Sequence, residues 1–296
     1  MTRSSRIVPF DLQDWNAAPP SQPGASPIDE LERGKVLYFP KLAFTLSPAE
    51  LALLDPALVD PKRKNISLNA TTGVLTGVVV DDARKDAIAA LVRRYYTSTR
   101  ALLSHLVPGY LDSLHKPTTS LRLHRIGTWK PSWRKDDTRL HVDAFPSRPT
   151  GEQRILRVFN NINPHGQSRQ WRVGQDFESL AQRFVPGATP FRPSLAWLMH
   201  RLHITKTRRS AYDHLMLQMH DRMKADADYQ ANGEQEAFEF PPGSTWICFS
   251  DQTPHAAMTG QFMLEQTYMM PLTAMAHPEL SPQHVLARQA GMGSRA

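Results

Sequence analysis

Residues 140–171, LHVDAFPSRPTGEQRILRVFNNINPHGQSRQW, constrain the chain more than any other stretch. His141 and Asp143 are one residue apart. In an extended backbone alternate side chains share a face, so both can reach one metal ion. One imidazole and one carboxylate are two thirds of the facial triad that holds non-haem Fe(II) with coordination positions left open. The third ligand must come from a distant segment, which requires a fold that gathers strand ends. His255 is the candidate, because it follows a β-prone run (Ser244–Phe249) and a proline-containing turn (Ser250–Pro254), just before another β segment. H-x-D alone is a weak signal in a chain with twelve histidines. An exposed His–Asp pair with an unrelated His255 accounts for the same residues, and zinc hydrolysis remains open for the same triad.

The rest of the pattern favours an α+β chain with a double-stranded β-helix (jelly-roll) core, N-terminal scaffold helices and a helical insertion. Residues 1–34 read as an extended arm, since 16–29 carry four prolines among small and polar residues. A single domain is expected over 35–296. Lys35–Phe39 is β-prone, Ser47-Pro48-Ala49-Glu50 has the form of a capping box, and Asp60–Lys64 is a basic turn. Apolar residues from Ile88 to Leu106 recur at helical spacing, predicting a scaffold helix over about 82–107 that stops at Pro108-Gly109. Leu121–Ile126, Arg154–Ile162, Ser244–Phe249 and Phe262–Met270 read as strands, with Arg122 and His124 on one face. Short strands without regular βαβ alternation favour an antiparallel barrel or jelly roll. Residues from about 176 to 232 read as the helical insertion. There Leu195, Leu198 and Leu202 recur, and Tyr212, Leu215, Met216, Met219 and Met223 form a stripe that reads as core. His214 and His220 lie on this segment, and as lone histidines they read as structural. The segment after Pro271 is weakly patterned and is expected to pack on the outside.

Chemistry of this type generally needs an electron-donating acid such as 2-oxoglutarate, whose far carboxylate requires a cation. Residues 256–276 contain no Lys or Arg, so the cation has to come from elsewhere, and Arg122, Arg157 and Arg169 are the suppliers. Arg157 lies among Ile155, Leu156, Val158 and Phe159, where a guanidinium is unfavourable unless paired. A carboxylate clamp and a buried structural ion pair both satisfy it. The net charge of +7 points to an anionic partner or simply to solubility. A single cysteine, Cys248, excludes a disulfide framework and fits a reducing compartment. We read no secretory signal and no apolar run of the ~20 residues needed to span a bilayer, so membrane contact is expected to be peripheral.

The strings HVDAFPS and RILRVFNNINP, with the long gap from Asp143 to His255, resemble the Kdo 3-hydroxylase family, Fe(II)- and 2-oxoglutarate-dependent oxygenases of lipopolysaccharide biosynthesis. The resemblance runs from about Leu121 to Pro271. It implies a jelly roll with iron held by His141, Asp143 and His255, and 2-oxoglutarate contacted by Arg122, Arg157, Arg169 and Trp171. It also implies that His220 stands beside the site with a role in catalysis and not in metal binding. The expected reaction is hydroxylation of the Kdo sugar of Kdo-lipid A at carbon 3, with O2 as co-substrate. The expected location is cytoplasmic, peripheral on the inner face of the inner membrane, with no nucleic-acid partner. Two rivals remain at this stage. One is an oxygenase acting on a protein or nucleic acid, with Trp129 or Trp133 stacking a base. The other is a jelly roll that binds anionic sugar without turning it over.

Overall fold

The computed structural model describes residues 5–18, 26–128 and 132–290. In chain order these contain β1 (Ile7–Pro9), α1 (Pro27–Glu32), β2 (Val36–Phe39), α2 (Pro48–Leu51), β3 (Ile66–Asn69), β4 (Leu75–Thr76), α3 (Asp82–Leu106), β5 (His115–Arg122), β6 (Arg154–Asn161) and β7 (Arg169–Gly174). Then come α4 (Phe177–Phe184), α5 (Pro193–Arg201), α6 (Ala211–Ala225), α7 (Ala227–Asn232), β8 (Gln235–Phe240), β9 (Thr245–Phe249), β10 (His255–Thr259), β11 (Met263–Met270) and α8 (Pro282–Gln289). The strands form a large sheet, β1-β2-β9-β6-β11-β5-β3-β4, and a small one, β10-β7-β8. All pairings but β1–β2 are antiparallel. This is the jelly roll expected from the sequence, with α4 to α7 inserted between β7 and β8.

Strand alternation distributes the side chains of the large sheet to two layers. On its outer face Leu156, Val158, Ile247, Phe249, Tyr268 and Met270 pack under Leu102, Leu103 and Leu106 of α3. The first half of α3 covers β3 and β5 through Ile88, Leu91, Val92 and Tyr95. Asp81 caps α3 by accepting from the Arg84 amide. Ser47 and Glu50 form the reciprocal capping box on α2 that their spacing suggested. On the inner face Phe159, Trp246, Cys248 and Met263 meet Trp171, Val173 and Phe240 of the small sheet. A second core outside the small sheet joins Leu140, Val142 and Ala256 to α4, α6 and α8, and includes the methionine stripe.

Three expectations need correction. The described part of residues 1–34 is not an extended arm: β1 adds to the sheet edge, α1 is capped by Ser26, and Ile7, Phe10, Leu12 and Leu31 are buried; residues 1–4 and 19–25 lie outside the described set. The β5 strand runs from His115 to Arg122 and ends before His124, because the partner β11 begins at Met263, opposite Arg122. Residues 141–143 form a single bridge and not a strand. Within the insertion the recurring Leu195, Leu198 and Leu202 face solvent. The segment after Pro271 does pack on the outside, yet it contributes Val285 and Leu286 of α8 to the second core. Trp129 lies outside the described residues.

Candidate metal centre

The bridge at His141 pairs it directly with His255 at the start of β10. His141 N–H donates to His255 O (3.1 Å) and His255 N–H donates to His141 O (2.9 Å). Residues that exchange both bonds in an antiparallel pair carry their side chains on the same face, so one backbone contact aligns two imidazoles. Asp143, two residues on, is fixed by its amide donating to Ser250 O (2.8 Å). The turn that delivers His255 is held from three sides. Gln252 Nε2 donates to Glu32 O and Leu280 O, Thr253 Oγ1 donates to Gly34 O, and Asp251 accepts from Arg154 Nε at 2.7 Å. The corrected N-terminal segment and the last segment thus set the position of the distal histidine.

The three side chains offer ligand atoms within 4.8 Å of one another, and all three are buried. His141 Nδ1 lies 2.7 Å from Arg139 O and His255 Nδ1 lies 2.9 Å from Thr253 O. A carbonyl only accepts, so each Nδ1 carries the proton and each Nε2 keeps its lone pair for the centre. Burial lowers both imidazole pKa values, which keeps them neutral. Burial would raise the Asp143 carboxyl, but the Arg157 guanidinium overrides it and holds Asp143 well below the usual carboxylate range. Two neutral imidazoles with free Nε2 and one carboxylate are the donor set a divalent iron requires, and the residues fit the ion.

A cavity opens onto His141 and His255. Arg122, Arg169, Trp171, Phe159, Met263 and Glu265 line it, together with Lys64, Arg125, Lys135 and Asp137. Arg122 Nη2 pairs with Glu265 Oε2 at 2.6 Å. Arg169 is buried without a carboxylate partner among the described residues, its Nε unbonded; burial and the facing Arg122 push its pKa down to about 9. Trp171 stacks on His255 with ring centroids 5.1 Å apart and leaves its indole N–H without an acceptor. A buried unpaired guanidinium and an unpaired donor beside the candidate metal ligands describe a pocket for an anion.

Two expected residues stand elsewhere than the cavity wall. Arg157, expected to contact 2-oxoglutarate, bridges Asp143 Oδ2 (3.0 Å) and Glu265 Oε1 (3.2 Å) and does not line the cavity; this is the ion-pair alternative, with a metal ligand as one partner. His220 comes off α6 edge-on to His141, 5.4 Å between ring centroids, and is not in the ligand cluster. Its Nδ1 lies 3.0 Å from Asp221 Oδ1, and Asp221 also pairs with Arg134 at 3.0 Å. The structural reading of His220 from its isolation in sequence therefore misses its place. Glu265, which holds Arg122 and Arg157, was not singled out either. The available signal was a carboxylate inside the apolar run Met263–Met270, unfavourable there unless paired.

A two-histidine, one-carboxylate cluster within a jelly roll, next to an anion pocket, defines a non-haem Fe(II) oxygenase. A family model described as 3-deoxy-D-manno-oct-2-ulosonic acid (Kdo) hydroxylase matches residues 14–293, and the chain belongs to the Kdo hydroxylase family. Solved structures agree. The apo form of the Kdo hydroxylase KdoO, a non-haem Fe(II) α-ketoglutarate-dependent dioxygenase, is 45% identical, with 96% of each chain covered and a TM-score of 0.92. KdoO with α-ketoglutarate and Fe(III) is 44% identical over 96% of each chain at 0.91. The cobalt(II) complex is 44% identical over 99% of each chain at 0.93. No curated protein sequence matches the chain.

Proposed function

We propose that this protein hydroxylates the Kdo sugar of Kdo-lipid A at carbon 3, using Fe(II), 2-oxoglutarate and O2 and releasing succinate and CO2. The observation that carries it is the back-to-back pairing of His141 and His255, with each Nδ1 tied to a carbonyl and each Nε2 free beside Asp143. Iron with the keto acid supplies the oxidising chemistry that converts C–H to C–OH. The chain's own part is to bind and orient. His141, Asp143 and His255 would hold the metal, and Arg157 fixes the Asp143 carboxylate against it. Arg169 would take the far carboxylate of 2-oxoglutarate, with Trp171 donating its N–H and Arg122 and Arg157 completing a cationic wall around Glu265. His220, oriented through Asp221, would act in turnover beside the metal without ligating it.

Among the described residues no helix is long and apolar enough to cross a membrane. With its excess of basic residues, the protein is proposed to work at the anionic cytoplasmic face of the inner membrane, where its glycolipid substrate sits. The test is mass spectrometry of Kdo-lipid A after incubation with protein, Fe(II), 2-oxoglutarate and O2. One added oxygen on the sugar is expected. Succinate release in the absence of any oxygenated glycolipid would redirect the activity to another substrate.

A further inference from the structure

Eight large apolar side chains are exposed among the described residues, and five of them fall between 195 and 204: Leu195, Trp197, Leu198, Leu202 and Ile204. Trp197 is 54% exposed and Leu202 61%. The one fully buried side chain of α5 is Ala196, so this helix presents its large residues outward and rests on its small one. That inverts the usual amphipathic arrangement, and a cluster of exposed Leu, Ile and Trp is the mark of an interaction surface. Its charge is one-sided as well. Between Glu178 and Asp213 the chain has no acidic residue, whereas Arg192, Arg201, Lys206, Arg208 and Arg209 fall inside the stretch.

We propose that α5 and the following loop to Arg209 are the surface on which the protein docks to an anionic lipid bilayer. Apolar side chains including a tryptophan enter the headgroup boundary, and the surrounding arginines and lysine meet lipid phosphates. A second copy of the chain would place this basic belt against its own equivalent, which favours the lipid surface as occupant. The surface is also tied to the metal centre. Lys206 N donates to Ser147 O (2.9 Å) and Arg209 Nη2 donates to Pro146 O (2.8 Å), on the loop that follows Asp143. From Ser210 the chain enters α6, which carries His220. Docking here would hold the catalytic residues against a sugar anchored in the same membrane. The inference deepens the glycolipid reading above and rests on it for its purpose, but not for its test.

The test is flotation of the Fe(II)-loaded protein with vesicles of phosphatidylethanolamine and phosphatidylglycerol, against phosphatidylcholine vesicles. The wild type should float with the anionic vesicles and release with salt. The double variant Trp197→Glu, Leu202→Glu should partition at least about tenfold less. Arg201→Glu with Arg208→Glu, which leaves the apolar cluster intact, should also weaken binding and flatten its salt dependence. For lipid-embedded Kdo-lipid A the apparent KM of both variants should rise by a similar factor, while turnover of an acyl-free Kdo saccharide stays at the wild-type level. A wild type that ignores anionic vesicles, or variants that bind them as before, would overturn the proposal. So would light scattering that finds a dimer which the Trp197, Leu202 variant splits while vesicle binding persists. Absence of turnover of both Kdo-lipid A and the saccharide in every form would sink the hydroxylase reading instead and leave the flotation result to stand alone.

Discussion

Arg169 offers a test in which affinity and stability move in opposite directions from the usual pattern for a buried arginine. Its guanidinium is buried, faces Arg122, and has no carboxylate partner among the described residues. Truncating one member of a buried ion pair leaves the other charge stranded and destabilises by about 3–5 kcal/mol. Arg169→Met strands nothing, because nothing is paired with it, and it removes a desolvated cation. The apo protein should therefore keep or slightly raise its Tm. The co-substrate tells the reverse story. A hydrogen bond to a charged group contributes about 1.5–3 kcal/mol, so losing the carboxylate contact should weaken 2-oxoglutarate binding by roughly 10- to 150-fold. The assay is a thermal-shift titration with 2-oxoglutarate alongside the KM from succinate release. At a hundred times its Kd a ligand stabilises by about 2.7 kcal/mol, and at the same concentration that shift should fall to between about 1.4 and 0.3 kcal/mol in the variant. An unchanged co-substrate affinity would refute the anion pocket. A drop of several kcal/mol in the apo protein would show that Arg169 is a structural residue with a partner after all.

The neighbouring residues should behave differently. Arg157→Met leaves Asp143 without its cation and Glu265 with Arg122 alone, so stability should fall by about 3–5 kcal/mol and bound iron should fall with it; retained metal with an effect confined to the 2-oxoglutarate KM would contradict the bridging role. His220→Ala should retain one iron per chain while turnover drops about a hundredfold, the scale of a single acid–base group, and metal loss would place His220 in the ligand set. Burial would raise the Glu265 pKa, but Arg122 and Arg157 dominate and lower it. A depressed carboxylate stabilises fully above its unfolded value of about 4.3, and that stabilisation disappears as pH falls through the lower folded value. The stability gap between wild type and Glu265→Gln should accordingly be constant at neutral pH and close only in strong acid; a gap closing near pH 7 would reverse the assigned shift.

What the sequence made legible was local or strongly periodic. The α3 helix, the α2 capping box and the strands at 154–161, 245–249 and 263–270 lie where apolar spacing and turn residues put them. The clustering of His141, Asp143 and His255 was legible because two are neighbours and the third follows a β run and a turn. The misreadings come from properties that only assembly decides. Spacing makes Leu195, Leu198 and Leu202 an apolar recurrence, but whether another element covers it is not written in the segment itself. The prolines at 16–29 obscured Ile7, Phe10 and Leu12, whose burial depends on β2 and α3 arriving from later in the chain. His220 is isolated in sequence, and only the packing of α6 brings it against His141.

The absence of any arginine or lysine after His255 was the one negative feature with structural content, and the sheet explains how it is compensated. Arg122, Arg157 and Arg169 come from β5, β6 and β7, all at inward-facing positions of the sandwich. Between β5 and β6 in the large sheet lies β11, a strand with no cation, which supplies Glu265. One carboxylate shared by two arginines, and Asp143 taking the second bond of Arg157, leave the third guanidinium unmatched. The backbone then holds that third residue in place. A Cβ on Gly260, where φ is +130°, would lie 2.9 Å from Arg169 Cγ and 3.2 Å from its Cα, so the turn between β10 and β11 packs directly on the arginine stem. The excess positive charge is thus built by strand register and not by sequence proximity. It lies in the cavity that also holds His141 and His255, as the proposed binding of a keto acid with a second carboxylate requires.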